Sequence, residues 1–112
     1  MALTLEVETD HEAGFHVMSV LGEVDLATID QLGAAIDALA PKEFGLILDL
    51  TSTEFMDSSG LRLLLATKEG MASNGQAFKL AVSGGPIARL LDVTGLLPHL
   101  DVHGSVEEAA AH

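Results

Sequence analysis

The segment Phe55-Met56-Asp57-Ser58-Ser59-Gly60-Leu61 places two hydroxyls between an apolar run and a run of helical periodicity. The preceding residues, Gly45-Leu46-Ile47-Leu48-Asp49-Leu50, are apolar and few, as in an inner strand of a sheet. The following residues carry Leu61, Leu64 and Leu65 at helical spacing, with Lys68 and Glu69 further on. A serine at such a junction can act as an N-cap, its oxygen accepting a free backbone N–H. The same place is expected to be exposed and to lie at the positive end of a helix dipole, where a phosphate is electrostatically tolerated. Two readings of Ser58 and Ser59 follow: one caps the helix and the other sits exposed in its first turn, or one of them accepts a phosphoryl group.

Other chemistries find less support. Asp57-Ser58-Ser59-Gly60 lacks the leading glycine of a nucleophile elbow, and no histidine has a claim to be its base, which leaves a hydrolase using Ser58 as a distant alternative. Ser83-Gly84-Gly85-Pro86 has no Gly-Lys-Ser/Thr to hold a triphosphate and reads as a turn into a helix. His99 and His103 are four apart, but Gly104 and the strand-like Leu100 and Val102 argue against a shared helical face and a metal site. Glu23 and Asp25 stand at a strand end with no second carboxylate to place opposite them. Capping of the next helix explains Asp25, and both suit a partner contact better than acid–base work. No catalytic residue, metal or cofactor is expected.

The 112 residues suffice for one domain with a single core, spanning 1–112. Hydrophobic residues make up 48%, which excludes disorder as the main description. With no cysteine, disulfides, thiolate zinc sites and cysteine nucleophiles are excluded. Seventeen acidic against five basic side chains leave a net charge of −12, which opposes direct nucleic-acid binding. Four Phe and no Trp or Tyr offer little on which bases could stack. An acidic surface repels anionic membranes and favours a basic protein partner. The N-terminal residues Met1 to Glu6 lack the basic and apolar regions of a signal peptide, and runs such as Leu63-Leu64-Leu65-Ala66 are too short to cross a bilayer. The expectation is a cytoplasmic monomer without membrane insertion.

Those residues must be positioned by the elements around them. Leu3, Leu5 and Val7 alternate with Thr4, Glu6 and Glu8, predicting a half-exposed strand, and Phe15 to Leu21 predicts a second. Asp10 to Gly14 turns between them, and Gly22-Glu23-Val24-Asp25 is expected to break the second strand. Ile29, Leu32, Ile36 and Leu39 share a helical face, capped by Asp25 or Thr28 and stopped by Pro41. After the buried strand to Leu50 comes a helix from Ser58 to Ser73, ended by Asn74-Gly75. Phe78 to Val82 predicts a strand, Pro86 opens a short helix with Ile87, Leu90 and Leu91 inward, and Thr94-Gly95 closes it. Leu97 to Val102 predicts a weak last strand, and Ser105 to Ala111 a terminal helix with Glu107 and Glu108 in its first turn. The fold class is α/β: a mostly parallel mixed sheet opened by an antiparallel hairpin. Helices should cover mainly one face, the other being either partly open or covered by the terminal segments.

Taken in order, Gly22-Glu23-Val24-Asp25, Ile47-Leu48-Asp49-Leu50, Phe55 to Leu61, Pro86-Ile87-Ala88-Arg89-Leu90-Leu91 and Thr94-Gly95-Leu96 resemble the STAS domain family. They are most similar to its stand-alone bacterial members, the anti-sigma factor antagonists, from about Leu5 to the end of the chain. The resemblance implies a protein that binds an anti-sigma factor serine kinase and so releases a sigma factor, with ATP held by the partner. It implies phosphorylation of Ser58, the serine directly after the aspartate, release of the phosphorylated form, and resetting by a phosphatase. It places Asp25 near the partner surface and Asp57 beside the acceptor. The expected contact surface joins Glu23 and Asp25 to Asp57, Ser58, Ser59, Gly60, Leu61 and Arg62. The alternative within the same family is a non-switching scaffold subunit of a lipid-transport or stress-signalling complex.

Overall fold

The computed structural model describes residues 3–39 and 44–112. The expected helix stop at Pro41 and the first two residues lie outside the described residues. Strand β1 (Leu3–Asp10) runs antiparallel to β2 (Phe15–Val24), with Leu3 opposite Gly22 and Asp10 opposite Phe15. Asp10 closes the turn between them: its carbonyl accepts the Gly14 N–H at 2.9 Å and its carboxylate the Ala13 N–H at 3.0 Å. Gly14 has φ +81°, a value that side chains disfavour.

Helix α1 (Ile29–Leu39) leads to β3 (Gly45–Asp49), then β4 (Thr53–Met56) and α2 (Ser58–Ser73). Strand β5 (Phe78–Ala81), α3 (Gly85–Val93), a single 3-10 turn (Leu97–His99), β6 (Val102–His103) and α4 (Val106–Ala111) complete the order. The strands lie in the order β1-β2-β3-β5-β6, parallel after the hairpin, and β4 pairs with β2.

One strand thus serves two neighbours in line. Residues 15–19 of β2 pair with β3, and residues 22–24 pair with β4 across a register shift between Gly22 and Glu23. Between β3 and β4 the chain turns on Asp49, whose carboxylate accepts the Thr51 N–H at 3.0 Å and hydroxyl at 2.7 Å. The buried Thr53 hydroxyl donates to the Val20 carbonyl at 2.7 Å, tying the new pairing to the old strand. The expected break at Gly22 is therefore a bulge, not an end: β2 continues to Val24, and Gly22 at φ +115° absorbs the irregularity. Strand β4 was not expected from the sequence. Its four residues alternate poorly, with Thr53 and Met56 buried and Glu54 and Phe55 exposed, so it carries no period-2 signal.

The main core lies between the sheet and helices α1, α2 and α3. Leu32 and Ile36, Leu64 and Met71, and Ile87 and Leu91 pack on Met18, Val20, Leu46, Leu48 and Leu80. On the opposite face Phe15, Ile47 and Ala81 pack against Ala109 of the terminal helix, as expected for terminal coverage. Strand β5 is buried along its whole length because it is covered from both sides. Its Lys79 donates to the Ala109 carbonyl at 3.0 Å and sits 5.3 Å from the centroid of the Phe15 ring, fastening α4 to the sheet.

The ends of the elements show two further differences. Helix α2 closes with Gly75 alone in the left-handed region, while Asn74 has φ −97°. The expected strand from Leu97 is a 3-10 turn followed by two strand residues, because Pro98 lacks the N–H that a ladder needs. Among the described residues, no helix is long and apolar enough to cross a membrane.

Replacing Thr53 with Val keeps shape and removes the donor to the Val20 carbonyl. The variant should lose about 1 kcal/mol of stability, read as a lower urea midpoint at unchanged slope.

Candidate functional site

The C-terminal ends of β2 and β4 meet the N-terminus of α2 at one pole of the sheet. The Asp57 N–H donates to the Val24 carbonyl at 3.0 Å, which fixes where the helix begins. Asp57 is the N-cap of α2, with extended backbone (φ −97°, ψ −172°). Its Oδ1 accepts the Ser59 N–H at 2.9 Å, the Ser59 hydroxyl at 2.5 Å and the Gly60 N–H at 3.3 Å. The cap is therefore the aspartate and not a serine, contrary to the expectation from sequence. Aspartate and serine cap about equally well, and the side chain that stands just before the first turn takes the role.

The two serines diverge in consequence. Ser58 begins the helix with its side chain exposed to solvent. Ser59 is only 8% exposed, and its hydroxyl is spent on Asp57, so it is not the exposed first-turn hydroxyl. Hydrogen bonds hold the Asp57 carboxyl below its ordinary pKa: the Ser59 hydroxyl has the largest effect, burial opposes it as the next largest, and backbone amides add smaller lowering effects.

Gly60 is buried where α2 comes closest to the strand ends. A Cβ there would stand 2.4 Å from Met56 Cγ and 3.0 Å from Val24 Cγ1. Leu61 is half-buried and packs on the main core, while Arg62 is exposed.

Across the pole lies the turn from β2 into α1. The Asp25 carboxylate accepts the Ala27 N–H at 3.0 Å and the Thr28 N–H at 3.2 Å. The Thr28 hydroxyl, buried, accepts the Asp25 N–H at 3.0 Å and donates to the Glu23 carbonyl at 2.9 Å. Asp25 and Thr28 thus form a reciprocal cap, so both residues proposed for that role take part. Glu23 is half-buried and pairs with Phe55 of β4.

Glu23, Asp25 and the start of α2 therefore come together at one pole. The fold adds Leu26, which sequence reasoning passed over. Its side chain is 76% exposed. An aliphatic residue between the two capping residues Asp25 and Thr28 was the available signal, because a turn leaves such a side chain nothing to pack on. Phe55 is also 48% exposed.

The pole presents the exposed Ser58 beside the exposed side chains of Leu26 and Phe55. The described histidines make their recorded contacts elsewhere: His16 with Thr9, His11 and His16 with Phe44, and His103 with Asp101 and His112. His99 lies in the 3-10 turn and His103 in β6, so they share no helical face. Among the described residues no cluster of His, Asp and Glu could hold a metal ion.

The family model for the STAS domain matches residues 6–109. An anti-sigma F factor antagonist of Paenibacillus polymyxa is 27% identical over 103 residues, which span 90% of this chain and 88% of that protein. An anti-sigma-F factor antagonist of Mycobacterium tuberculosis is 40% identical over 74 residues, 65% of this chain and 57% of that protein. A crystal structure of an anti-sigma factor antagonist from Mycobacterium paratuberculosis superposes with a TM-score of 0.88 at 31% identity, covering 98% of this chain and 92% of that one.

Two measurements check the cap and the close approach. In a carboxyl NMR titration Asp57 should titrate below the usual aspartate range, and Ser59→Ala should move its midpoint upward. Because the folded value is depressed, the stability it contributes is complete above the unfolded pKa, near 4, and is lost as pH falls through the folded value. Gly60→Ala should cost about 1–3 kcal/mol through overpacking against Met56 and Val24, seen as a lower thermal midpoint.

Proposed function

The chain belongs to the STAS domain family, and from that membership we propose that it is an anti-sigma factor antagonist switched by phosphorylation of Ser58. The observation that carries the reading is the contrast between the adjacent hydroxyls: Ser58 exposed on the first residue of α2, Ser59 buried and bound to Asp57. A kinase can reach only the first without unwinding the helix. Relatives similar over most of the chain are named as anti-sigma factor antagonists, which supports the general role.

In this reading a single cytoplasmic domain binds an anti-sigma factor that is also a serine kinase, and the bound sigma factor is released. The partner holds ATP. The Ser58 hydroxyl oxygen attacks the γ-phosphorus, the bond to the bridging oxygen of ADP breaks, and the hydroxyl proton passes to a base of the partner. A phosphatase hydrolyses phospho-Ser58 to reset the switch. The chain itself is a substrate and not an enzyme, and it acts as a monomer without cofactor, nucleic acid or membrane. The contact surface comprises Glu23, Asp25 and Asp57 with Ser58 to Arg62, together with the exposed Leu26. Ser59 and Gly60 serve it from beneath, by holding Asp57 and by letting the helix approach the strand ends.

The physics of release follows from charge. A phosphate brings about −1.5 to −2 charges at neutral pH. The helix dipole offsets only about 0.3–1 kcal/mol of its effect, and the amides of Ser59 and Gly60 are already engaged by Asp57. Inside a dehydrated interface, like charges brought together cost several kcal/mol. A net loss of about 2.7–4.1 kcal/mol lowers affinity 100- to 1,000-fold. The switch therefore acts on binding and leaves the fold in place.

Pull-downs from native cytosol with wild type, Ser58→Ala and Ser58→Asp, with bound proteins identified by mass spectrometry, test the reading. An ATPase-like anti-sigma kinase should be retained by the first two and lost with the third. Identical partners on all three would overturn the switch and favour a constitutive scaffold.

A further inference from the structure

Arg62 stands one helical turn after Ser58, and both side chains are exposed. We propose that Arg62 is the intramolecular counter-ion of phosphorylated Ser58: a partner-facing cation in the unmodified protein, drawn onto the phosphate in the modified one. This rests on the phosphorylation of Ser58 proposed above.

The charge inventory singles Arg62 out. Five basic residues face 17 acids in the sequence, and four of the five, Arg62, Lys68, Lys79 and Arg89, lie among the described residues. Lys79 is buried and spent on the Ala109 carbonyl. Lys68 donates to the His99 carbonyl. Arg62 and Arg89 are exposed, and the ion pair recorded among the described residues joins two others, His103 and Asp101. The carboxylates of the pole do not claim Arg62 either. Asp57 accepts donors from Ser59 and Gly60, and Asp25 accepts the amides of Ala27 and Thr28.

Geometry supplies the rest. Residues four apart on a helix are neighbours, and an acid placed N-terminal to its base is the favourable order. Long helical side chains lean toward the helix N-terminus, so the reach of Arg62 covers the turn that carries Ser58. A guanidinium matches phosphate oxygens with two parallel N–H donors, which a lysine cannot do. The amides of Ser59 and Gly60 are occupied by Asp57, so these donors do not compete for the phosphate. One modification then changes the surface twice: it adds a dianion and withdraws the cation that shares its face.

The experiment uses the full chain with phosphoserine installed at position 58 during translation, so that no kinase is required. Its phosphorus NMR signal is titrated through the second phosphate ionisation, near pH 6. A neighbouring cation favours the dianion, so wild type should titrate lower than Arg62→Gln by roughly 0.2–0.4 of a pH unit, a gap that closes in 1 M salt. Arg62→Lys should keep a smaller shift of the same sign, and Arg89→Gln should match wild type. Equal phosphate midpoints in wild type and Arg62→Gln would overturn the proposal, as would an equal shift from Arg89→Gln. Failure of the switch itself would show in the pull-downs and leave this titration unaffected.

Discussion

The hydrogen bonds gathered by the Asp57 carboxylate order the first turn of α2, where the two serines part. One side chain caps α2 through the Ser59 and Gly60 amides and immobilises the Ser59 hydroxyl. The cap and the fate of the two hydroxyls are thus set by the same group. Because the carboxylate fills the place an anion would take at the helix N-terminus, the phosphate proposed on Ser58 would be directed outward, toward solvent and Arg62. The electrostatic welcome expected of a bare helix end is largely used up before any modification occurs.

Asp57 can act this way only because the strands beneath bring it there. Strand β2 pairs first with β3 and then with β4, and the shift at Gly22 lets the second pairing deliver Met56 and Asp57 beside Val24. The absence of a side chain at Gly60 then allows the helix to descend onto Val24 and Met56. The bulge, the Thr53 hydrogen bond and the glycine contact form one chain of steric causes running from the sheet to the serine.

Charge does the remaining work. Asp25 and Asp57 are engaged by backbone donors, and two of the four described cations, Lys68 and Lys79, by backbone carbonyls. Against that background the phosphate proposed on Ser58 would be a large perturbation, beside the exposed and uncharged side chain of Leu26.

Much of this was legible in the residues themselves. The period of Ile29, Leu32 and Ile36, the apolar run through Leu48 and the Gly75 stop depend on neighbours in sequence, and local physics suffices to read them. The ordered motifs around Ser58 likewise identified the family before any coordinates. Strand β4 and the continuation of β2 through Gly22 were not legible, because pairing with a distant strand overrides a segment that has no alternation of its own. Which of Asp57, Ser58 and Ser59 would cap the helix was equally hidden. Aspartate and serine both cap well, and only the Asp57 N–H bond to Val24 sets where the first turn begins. Composition and local pattern determined the fold class and the segment that matters. Long-range backbone pairing decided which hydroxyl faces water, because exposure is a property of the assembled sheet and not of the serine.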